Sequence, residues 1–579
     1  MMSVEARNHF LISAITAAFL LLIAGLFYNQ ILRYGYYSRL ARNNSIRVIP
    51  IDGPRGDIYD RSGLPIVTNR LSFDVALVYQ EINDRRKLAR LLSKALGMTG
   101  EEILKALEKA RKRPYSPVTI AEDINKDAAI ELEEASFDVT GLTIETRSKR
   151  EYPYKHYGCH LAGYLSEVTE GELETLKDLG YRSGDLIGRS GLEKFYESYL
   201  KGVDGGTQVE VDSRGRQTRI LGVKEPENGP PLQLTIDMPL QITCDKLLGD
   251  HKGAIIVMDP ASGGILALAS HPTFDPNIFV KHGTSVRRKE LLNDRKGRPM
   301  SNKAISGIYP PGSVFKIVTA SAALDLGKIS YGTKFFCGGT YRLGKFSFDC
   351  WKEGGHGSQN VVEGLMNSCN VFFYNTGRAL GVDNLEAYAK LFGYGRPAGV
   401  DLPDEVSGIV PGREWKLSRK KAGWYEGETL HYAIGQSYLL VTPMQVLVMA
   451  AVIANNGSLV RPHIVKRIGA IQTRMPQLRS IGLKSSTIQN VRGGLFAVVN
   501  AQAGTGKRAK AEGVAVAGKT GTAQNPQGAT HAWFCGYAPY GDPKICVVVF
   551  LEHGGKGGLE PASMARGVFE EAKAMGYFK

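Results

Sequence analysis

Apolar positions along the chain change their period several times, and each change predicts a different kind of element. Residues 10–28 run for nineteen positions without a charge, rich in Leu, Ile, Ala and Phe. That is long enough for one helix to cross a bilayer. A cleaved secretory leader fits less well, because the apolar run is too long and no small-residue cleavage site follows Leu26. Residues 84–113 and 127–135 are charged, with apolar residues at helical spacing, and predict small surface helices. From 232 the pattern shifts to strands: 232–237 is strand-like, an amphipathic helix follows, and the apolar runs 253–260 and 264–270 flank Ala-Ser-Gly-Gly as a hairpin. The Ala-rich run 317–327, closed by Gly327, predicts a buried helix. Near the end, 514–523, 532–537 and 545–551 predict three consecutive strands, and a closing helix is expected over 562–575. Strands at both ends of this region and helices between them imply one antiparallel sheet closed by both ends, an α+β arrangement.

A Pro, Gly and charge cluster at 223–231 marks a domain edge. The expected organisation is a tail at 1–9, a membrane anchor at 10–32, a first folded region at 45–222 and a second at 232–579. With 579 residues, 43% apolar and 22% charged, the chain suits two or three globular domains and is not disordered by composition. Its formal charge of +15 fits nucleic acid, an anionic membrane or an anionic wall polymer equally well. No zinc-finger, helix-turn-helix or RNA-binding signature and no internal repeat occurs, so nucleic acid is not expected. Before the apolar run the only Lys or Arg is Arg7, whereas Arg33, Arg39 and Arg42 follow it. A positive-inside count therefore points against export, although large domains translocate regardless of such counts.

Candidate chemistry begins at Tyr-Pro-Pro-Gly-Ser-Val-Phe-Lys, 309–316. Prolines and a glycine end whatever precedes, which places Ser313 on the first turn of the buried helix. Lys316, three residues on, projects from the same face, so its amine is expected to reach the Ser313 hydroxyl. An amine activates a serine only if its own proton is off, which needs burial or a neighbouring cation. Taken alone, Ser-x-x-Lys is also what an N-cap serine and a solvated lysine look like. Ser368-Cys369-Asn370 and Lys519-Thr520-Gly521-Thr522 follow in order along the chain.

Together these segments resemble the S-x-x-K, S-x-N, K-T-G signature of the penicillin-binding proteins and serine β-lactamases. Three further stretches resemble sequence boxes of the class B penicillin-binding proteins, where they brace a non-catalytic pedestal: 54–65 with its R-G-x-I-x-D-R pattern, 150–153, and 188–200. The runs 349–357, 368–374 and 433–445 resemble the elongation branch of that family, penicillin-binding protein 2; Ser437 stands where that branch more often has Gly. A division-type transpeptidase, or an idle β-lactam-binding scaffold, is the alternative.

The resemblance implies a peptidoglycan D,D-transpeptidase with a β-lactamase-like catalytic domain, anchored in the bacterial inner membrane with that domain outside the cytoplasm. Ser313 is then the nucleophile toward D-Ala-D-Ala stem peptides and β-lactams, Lys316 its base, and Ser368 a proton relay to the departing nitrogen. Asn370 would hold the peptide amide and steer Lys316, and Lys519 with Thr520 and Thr522 would bind the terminal carboxylate. Gly521 would let the substrate backbone come close to the strand edge. The backbone N–H groups of Ser313 and Thr522 match the family's oxyanion hole. A polytopic glycan polymerase of the SEDS type and the elongation machinery are the implied partners. No cofactor is required for the chemistry.

Among seven cysteines, Cys337, Cys350 and Cys369 alternate with His356 at spacings of thirteen, six and thirteen residues. Those spacings suit one tetrahedral Cys3His zinc site, the alternative being buried thiols or one disulfide. Some members of the resembled branch hold zinc at positions like those of Cys350, His356 and Cys369, some with Asp in place of Cys, which makes Asp349 an alternative ligand. The site would be structural, pinning the Ser368–Asn370 segment. Cys159, Cys244, Cys535 and Cys546 are expected in the core.

Overall fold

The structure, a computed structural model, describes residues 3–578 apart from 116, 213–216, 282 and 526–527, and the backbone alone at 41–44. Residues 1 and 2 of the expected tail, and the Arg42 side chain, lie outside the described residues. The apolar N-terminal run is one helix, Val4–Phe27, continued by a wider turn to Leu32, with none of its 18-residue apolar window buried. It begins ahead of the expected start because Ser3 caps it, its hydroxyl accepting from the Ala6 N–H at 3.4 Å.

Contacts group the chain into two units that interleave in sequence. The first comprises 1–54, 70–149 and 202–228, the second 55–69, 150–201 and 229–579. The expected first region, 45–222, thus divides between them.

In the first unit, Ile46–Ile51, Gly205–Val211 and Gln217–Lys224 form an antiparallel three-stranded sheet. Phe73–Leu77 pairs with Val118–Ile124, and helices Arg85–Leu96, Gly100–Arg111 and Lys126–Ser136 pack a small core around Val75, Leu77, Leu88, Leu92 and Leu132. The charged stretch expected to form small helices over 84–113 is two of them. Gly97 takes φ +67° and ends the first, and Thr99 with Glu102 forms a capping box that opens the second.

The second unit is built on an antiparallel sheet of β1 (Gly253–Met258), β2 (Ile265–His271), β3 (Ala517–Ala523), β4 (His531–Ala538) and β5 (Ile545–Leu551), in the order β2-β1-β5-β4-β3. Both faces are covered, which explains why these strands read as unbroken apolar runs. Ile256 and Met258 face a core shared with helices Lys316–Asp325 and Pro443–Ala454. Ile255 and Val257 face helices Met238–Leu248 and Glu560–Ala574. The helix Pro443–Ala454 is buried at every position, and Thr442 with Gln445 caps its start. The α+β expectation and the closing helix are as read from the sequence. Strand β3 ends the sheet, so its outer edge is free to meet an extended peptide.

Candidate active site

Ser313 lies in a tight 3-10 turn, Gly312–Phe315, that leads into Lys316–Asp325. It is partly exposed while Gly312, Val314, Phe315 and Lys316 around it are buried. The turn is held from two sides. The Gly312 N–H donates to the Gly435 carbonyl at 2.9 Å, and Tyr309 exchanges backbone hydrogen bonds with Val441, 2.9 Å each. Gly312 has φ +55°, and a Cβ there would stand 2.7 Å from the Thr522 carbonyl oxygen. Only glycine lets the turn approach β3 so closely.

Lys316 does not spend its donors on Ser313. Its Nζ donates to the Ser368 carbonyl at 2.8 Å, to Asn370 Oδ1 at 2.7 Å and to Ser368 Oγ at 3.3 Å. Lys519 reaches the same hydroxyl from β3, its Nζ 3.0 Å from Ser368 Oγ. Among the described residues Ser313 Oγ has no hydrogen-bond partner, so the expected Ser313–Lys316 bond is replaced by Lys316–Ser368–Asn370. Both amines are fully buried. Burial lowers Lys316 from 10.5 to about 8, against the opposing pull of Cys369 and Cys350. Lys519 lies well below its ordinary value, through burial first and then the Lys316 charge.

Ser368 adopts φ +51°, a left-handed conformation that costs a non-glycine residue energy and here turns its hydroxyl between the two amines. Trp351 braces that loop, its Nε1–H donating to the Asn367 and Ser368 carbonyls at 3.0 and 3.2 Å. Asn370 opens a helix, Asn370–Leu380, and its amide donates to the Asp349 carbonyl at 3.3 Å. The Thr520 hydroxyl is buried and donates to Thr505 Oγ1 at 3.1 Å, whereas Thr522 is exposed and its Oγ1 accepts from the Gly557 N–H at 3.3 Å. Gly521 is buried beside Pro311 and Val314.

The four expected metal ligands converge. The ligand atoms of Cys337, Cys350, His356 and Cys369 all lie within 4.8 Å of one another, and His356 Nδ1 is 3.6 Å from the Cys337 sulfur and 3.5 Å from that of Cys350. Cys350 ionises first, because Cys369 donates a hydrogen bond to it; the same contact pushes Cys369 up. Burial lowers His356, which keeps its imidazole neutral and able to bind a cation. All seven cysteines are free and buried, so the disulfide alternative is not what the fold contains. Asp349 is not in this cluster. Its carboxylate accepts from the Thr340 hydroxyl at 3.0 Å at the surface, because the strand turns its side chain outward and leaves only its carbonyl facing Asn370 and Tyr374.

Residues 253–570 match the family described as penicillin binding protein transpeptidase domain, and 50–234 match the penicillin-binding protein dimerisation domain. The chain is 32% identical to the peptidoglycan D,D-transpeptidase MrdA of Escherichia coli strain K12, over 93% of this chain and 89% of that one. It is 33% identical to MrdA of Haemophilus influenzae, over 95% and 89%. The chain belongs to the class B penicillin-binding proteins. Among solved structures, a complex of penicillin-binding protein 2 and MreC from Helicobacter pylori superposes with a TM-score of 0.80 at 28% identity, over 92% of this chain and 99% of that one. Penicillin-binding protein 2 of Pseudomonas aeruginosa in complex with WCK 5153 gives 0.70 at 29% identity, over 90% and 96%. A structure titled for coordination of polymerization and crosslinking by a peptidoglycan synthase complex gives 0.77 at 31% identity, over 97% and 97%.

In this penicillin-binding protein the three class B boxes meet at one buried cluster of the second unit. Arg55 pairs with Glu193 at 2.7 Å and with Glu197 at 2.9 Å, and Arg150 pairs with Glu193 at 2.7 Å. Glu193 is fully buried, and Asn69 and Tyr152 add polar contacts to the cluster. The Asp60 carboxylate instead holds a turn, accepting from the Ser62 and Leu64 N–H groups. Thr505 and Gly557 are not marked in the sequence, and Trp351 is marked only as part of the 349–357 run, without its loop-bracing role. For Trp351 the signal was its place beside Asp349 and Cys350; for Thr505 and Gly557 there was none short of the fold.

Proposed function

We propose that the protein cross-links peptidoglycan as the elongation-type D,D-transpeptidase, through an ester on Ser313. What carries this reading is the Ser368 hydroxyl held between two buried amines beside the turn that presents Ser313, in a chain similar to MrdA over nearly its whole length.

Ser313 Oγ attacks the carbonyl carbon of the penultimate D-Ala, forming the ester C–O bond. Lys316, which needs little free energy to stand neutral near pH 8, takes the hydroxyl proton. Its bonds to Ser368 and Asn370 hold the amine in place, and catalytic hydrogen bonds commonly shorten only once substrate is bound. As the C–N bond breaks, Ser368 Oγ passes a proton to the departing D-Ala nitrogen and is resupplied from Lys316 or Lys519. An amine of a neighbouring stem peptide then attacks the ester, forming the cross-link and freeing Ser313. The terminal carboxylate sits against Lys519, whose charged form the carboxylate's own charge favours, and the exposed Thr522 hydroxyl, with the Thr520 hydroxyl turning from Thr505 to join them. A β-lactam enters as a mimic of the donor and stops at the ester.

Cys337, Cys350, His356 and Cys369 would hold a zinc ion, to which three sulfurs and one imidazole nitrogen are well suited. The ion would supply no catalytic step. It would tie the Cys350 and Cys369 backbones together, and the Asn370 N–H already contacts the Cys350 sulfur at 3.4 Å.

The helix Val4–Leu32 would be a single inner-membrane anchor, with the rest of the chain outside the cytoplasm. A SEDS-type polymerase would supply strands, and MreC, seen with the Helicobacter pylori relative, would be a further elongation partner. The test is turnover. Purified full-length protein should convert two stem peptides to a cross-linked dimer, and Ser313→Ala should abolish it; a dimer formed at an undiminished rate by the variant would end the reading.

A further inference from the structure

The helical region between the Ser368 loop and β3 holds a cavity that the proposed chemistry does not use. It has a volume of about 800 Å³, and its walls include Lys390, Trp415, Arg419, Lys420, Ser437 and Tyr438. Its base is rigid. Lys416 is 2% exposed, and its Nζ lies 2.7 Å from the Gly423 carbonyl, 2.6 Å from the Glu428 carboxylate and 4.2 Å from the centroid of the Tyr425 ring. The Tyr438 hydroxyl donates to the same Glu428 at 3.2 Å. This network sets Trp415 against Tyr438 with ring centroids 5.3 Å apart.

Around the rings stands positive charge. Arg419 and Lys420 are exposed on helix Arg413–Lys420, and among the described residues neither has a carboxylate partner. Lys420 Nζ lies 5.7 Å from the Tyr438 ring centroid, while Lys390 is paired with Glu386 at 2.6 Å. Unneutralised cations beside aromatic faces at the mouth of a cavity select a ligand with both an anionic group and an apolar ring face.

Ser437 links this cavity to the catalytic turn. It has φ +67°, a conformation that costs a serine energy and persists only when its surroundings enforce it. With Leu440 it also lines a second cavity, about 830 Å³, bordered by Pro310, Gln436 and Gln524. Pro310 belongs to the turn that presents Ser313, and Gln524 follows Thr522 and Ala523 off the end of β3.

We propose that the Trp415–Tyr438 cavity binds an uncross-linked peptidoglycan strand outside the catalytic cleft. A sugar ring lies against the two aromatic faces, and a stem-peptide carboxylate is held by Arg419 and Lys420. The shared wall at Ser437 aligns the strand with the cleft. The inference rests on the transpeptidase reading above, because it is the path toward Ser313 that selects a wall glycopeptide over another anionic ring-bearing ligand.

The test uses the full chain in detergent with Ser313 first blocked by penicillin. The probe is a disaccharide-tripeptide lacking the terminal D-Ala-D-Ala, titrated calorimetrically. Blocked protein is expected to bind it, and the surface double variant R419E/K420E to weaken binding at least tenfold, as should W415A; the tripeptide without sugars should bind at least tenfold more weakly than the glycopeptide. Penicilloylation, read by intact mass on the same samples, should be unchanged in R419E/K420E, which shows that this variant is folded. Binding that disappears on penicillin block, or that R419E/K420E leaves intact, overturns the proposal. So does equal, variant-sensitive binding of a sugar-free acidic peptide or of anionic phospholipid vesicles, which would make the surface a protein or membrane contact. Failure of Ser313 to acylate at all would instead count against the transpeptidase reading.

Discussion

Lys316 and Lys519 share one oxygen: their amines stand 3.3 and 3.0 Å from Ser368 Oγ, one at a helix start and one on a strand. Two buried amines on one acceptor cannot both hold a proton cheaply, and the Lys316 charge adds to burial in lowering Lys519. Lys316 itself is lowered by its burial, to about 8, within reach of neutral pH.

Acylation by penicillin should therefore depend on pH on the alkaline side. Lys316 acts when neutral, so with its value lowered by burial to about 8 the rate should climb as pH rises through 6 and 7 and level off above that value. Stopped-flow measurement with a fluorescent penicillin reads this directly. Lys316→Arg, which cannot lose its proton, should lose acylation across the range. A flat profile for the native protein would sink the assignment of Lys316 as base.

Replacing Ser368 with Ala removes the hydroxyl between the amines while leaving the carbonyl that Lys316 also contacts. A loss on the order of 100-fold in cross-linking is expected, the lower range for a positioned proton-transfer group. Thermal unfolding should barely change, because the loop is still held by Trp351. Full activity in Ser368→Ala would show that the proton reaches the leaving nitrogen by another route.

Glu193 should matter for stability more than for chemistry. Leaving Arg55 and Arg150 without their shared carboxylate strands buried charge, so Glu193→Ala should cost about 3–5 kcal/mol. Burial raises the Glu193 carboxyl, yet Arg150 and Arg55 outweigh that and hold it below its ordinary 4.5. A depressed value means the contribution is fully present above 4.5 and is lost progressively as pH falls from there through the lower folded value. Denaturation followed by circular dichroism at pH 7 and at pH 4 should show the gap between native and variant proteins narrowing at the lower pH.

Metal analysis of the purified protein should find one zinc per chain, lost in His356→Ala. Chelation should lower the thermal midpoint, since a bound ion contributes to folding free energy. It should also slow acylation on the order of tenfold, the low end for lost support around a metal site, by loosening Asn370. Metal-free protein with native stability and acylation rate would reduce the cluster to packed thiols.

Much of this molecule is local in origin. The apolar N-terminal helix, the hairpin 253–270, the terminal strands and the buried helix after Ser313 each follow from a run of apolar positions and the turn residues that close it. The order of Ser313, Ser368 and Lys519 was legible because the residue types are constrained within each short motif. The Cys337, Cys350, His356 and Cys369 cluster was legible by its chemistry and short spacings.

Which partners those residues take was decided by the tertiary structure. Lys316 is three residues from Ser313 but donates to Ser368 and Asn370, because packing of a distant helix brings those oxygens closer. Asp349 neighbours Cys350 in sequence yet points outward, since successive side chains on a strand face opposite ways. Arg55 and Arg150 meet on Glu193 only once three separate segments have folded together, and Thr505 and Gly557 reach β3 the same way. Periodicity and turn chemistry act over a few residues and can be read along the chain. Convergence depends on how whole elements pack, and no single segment carries that information.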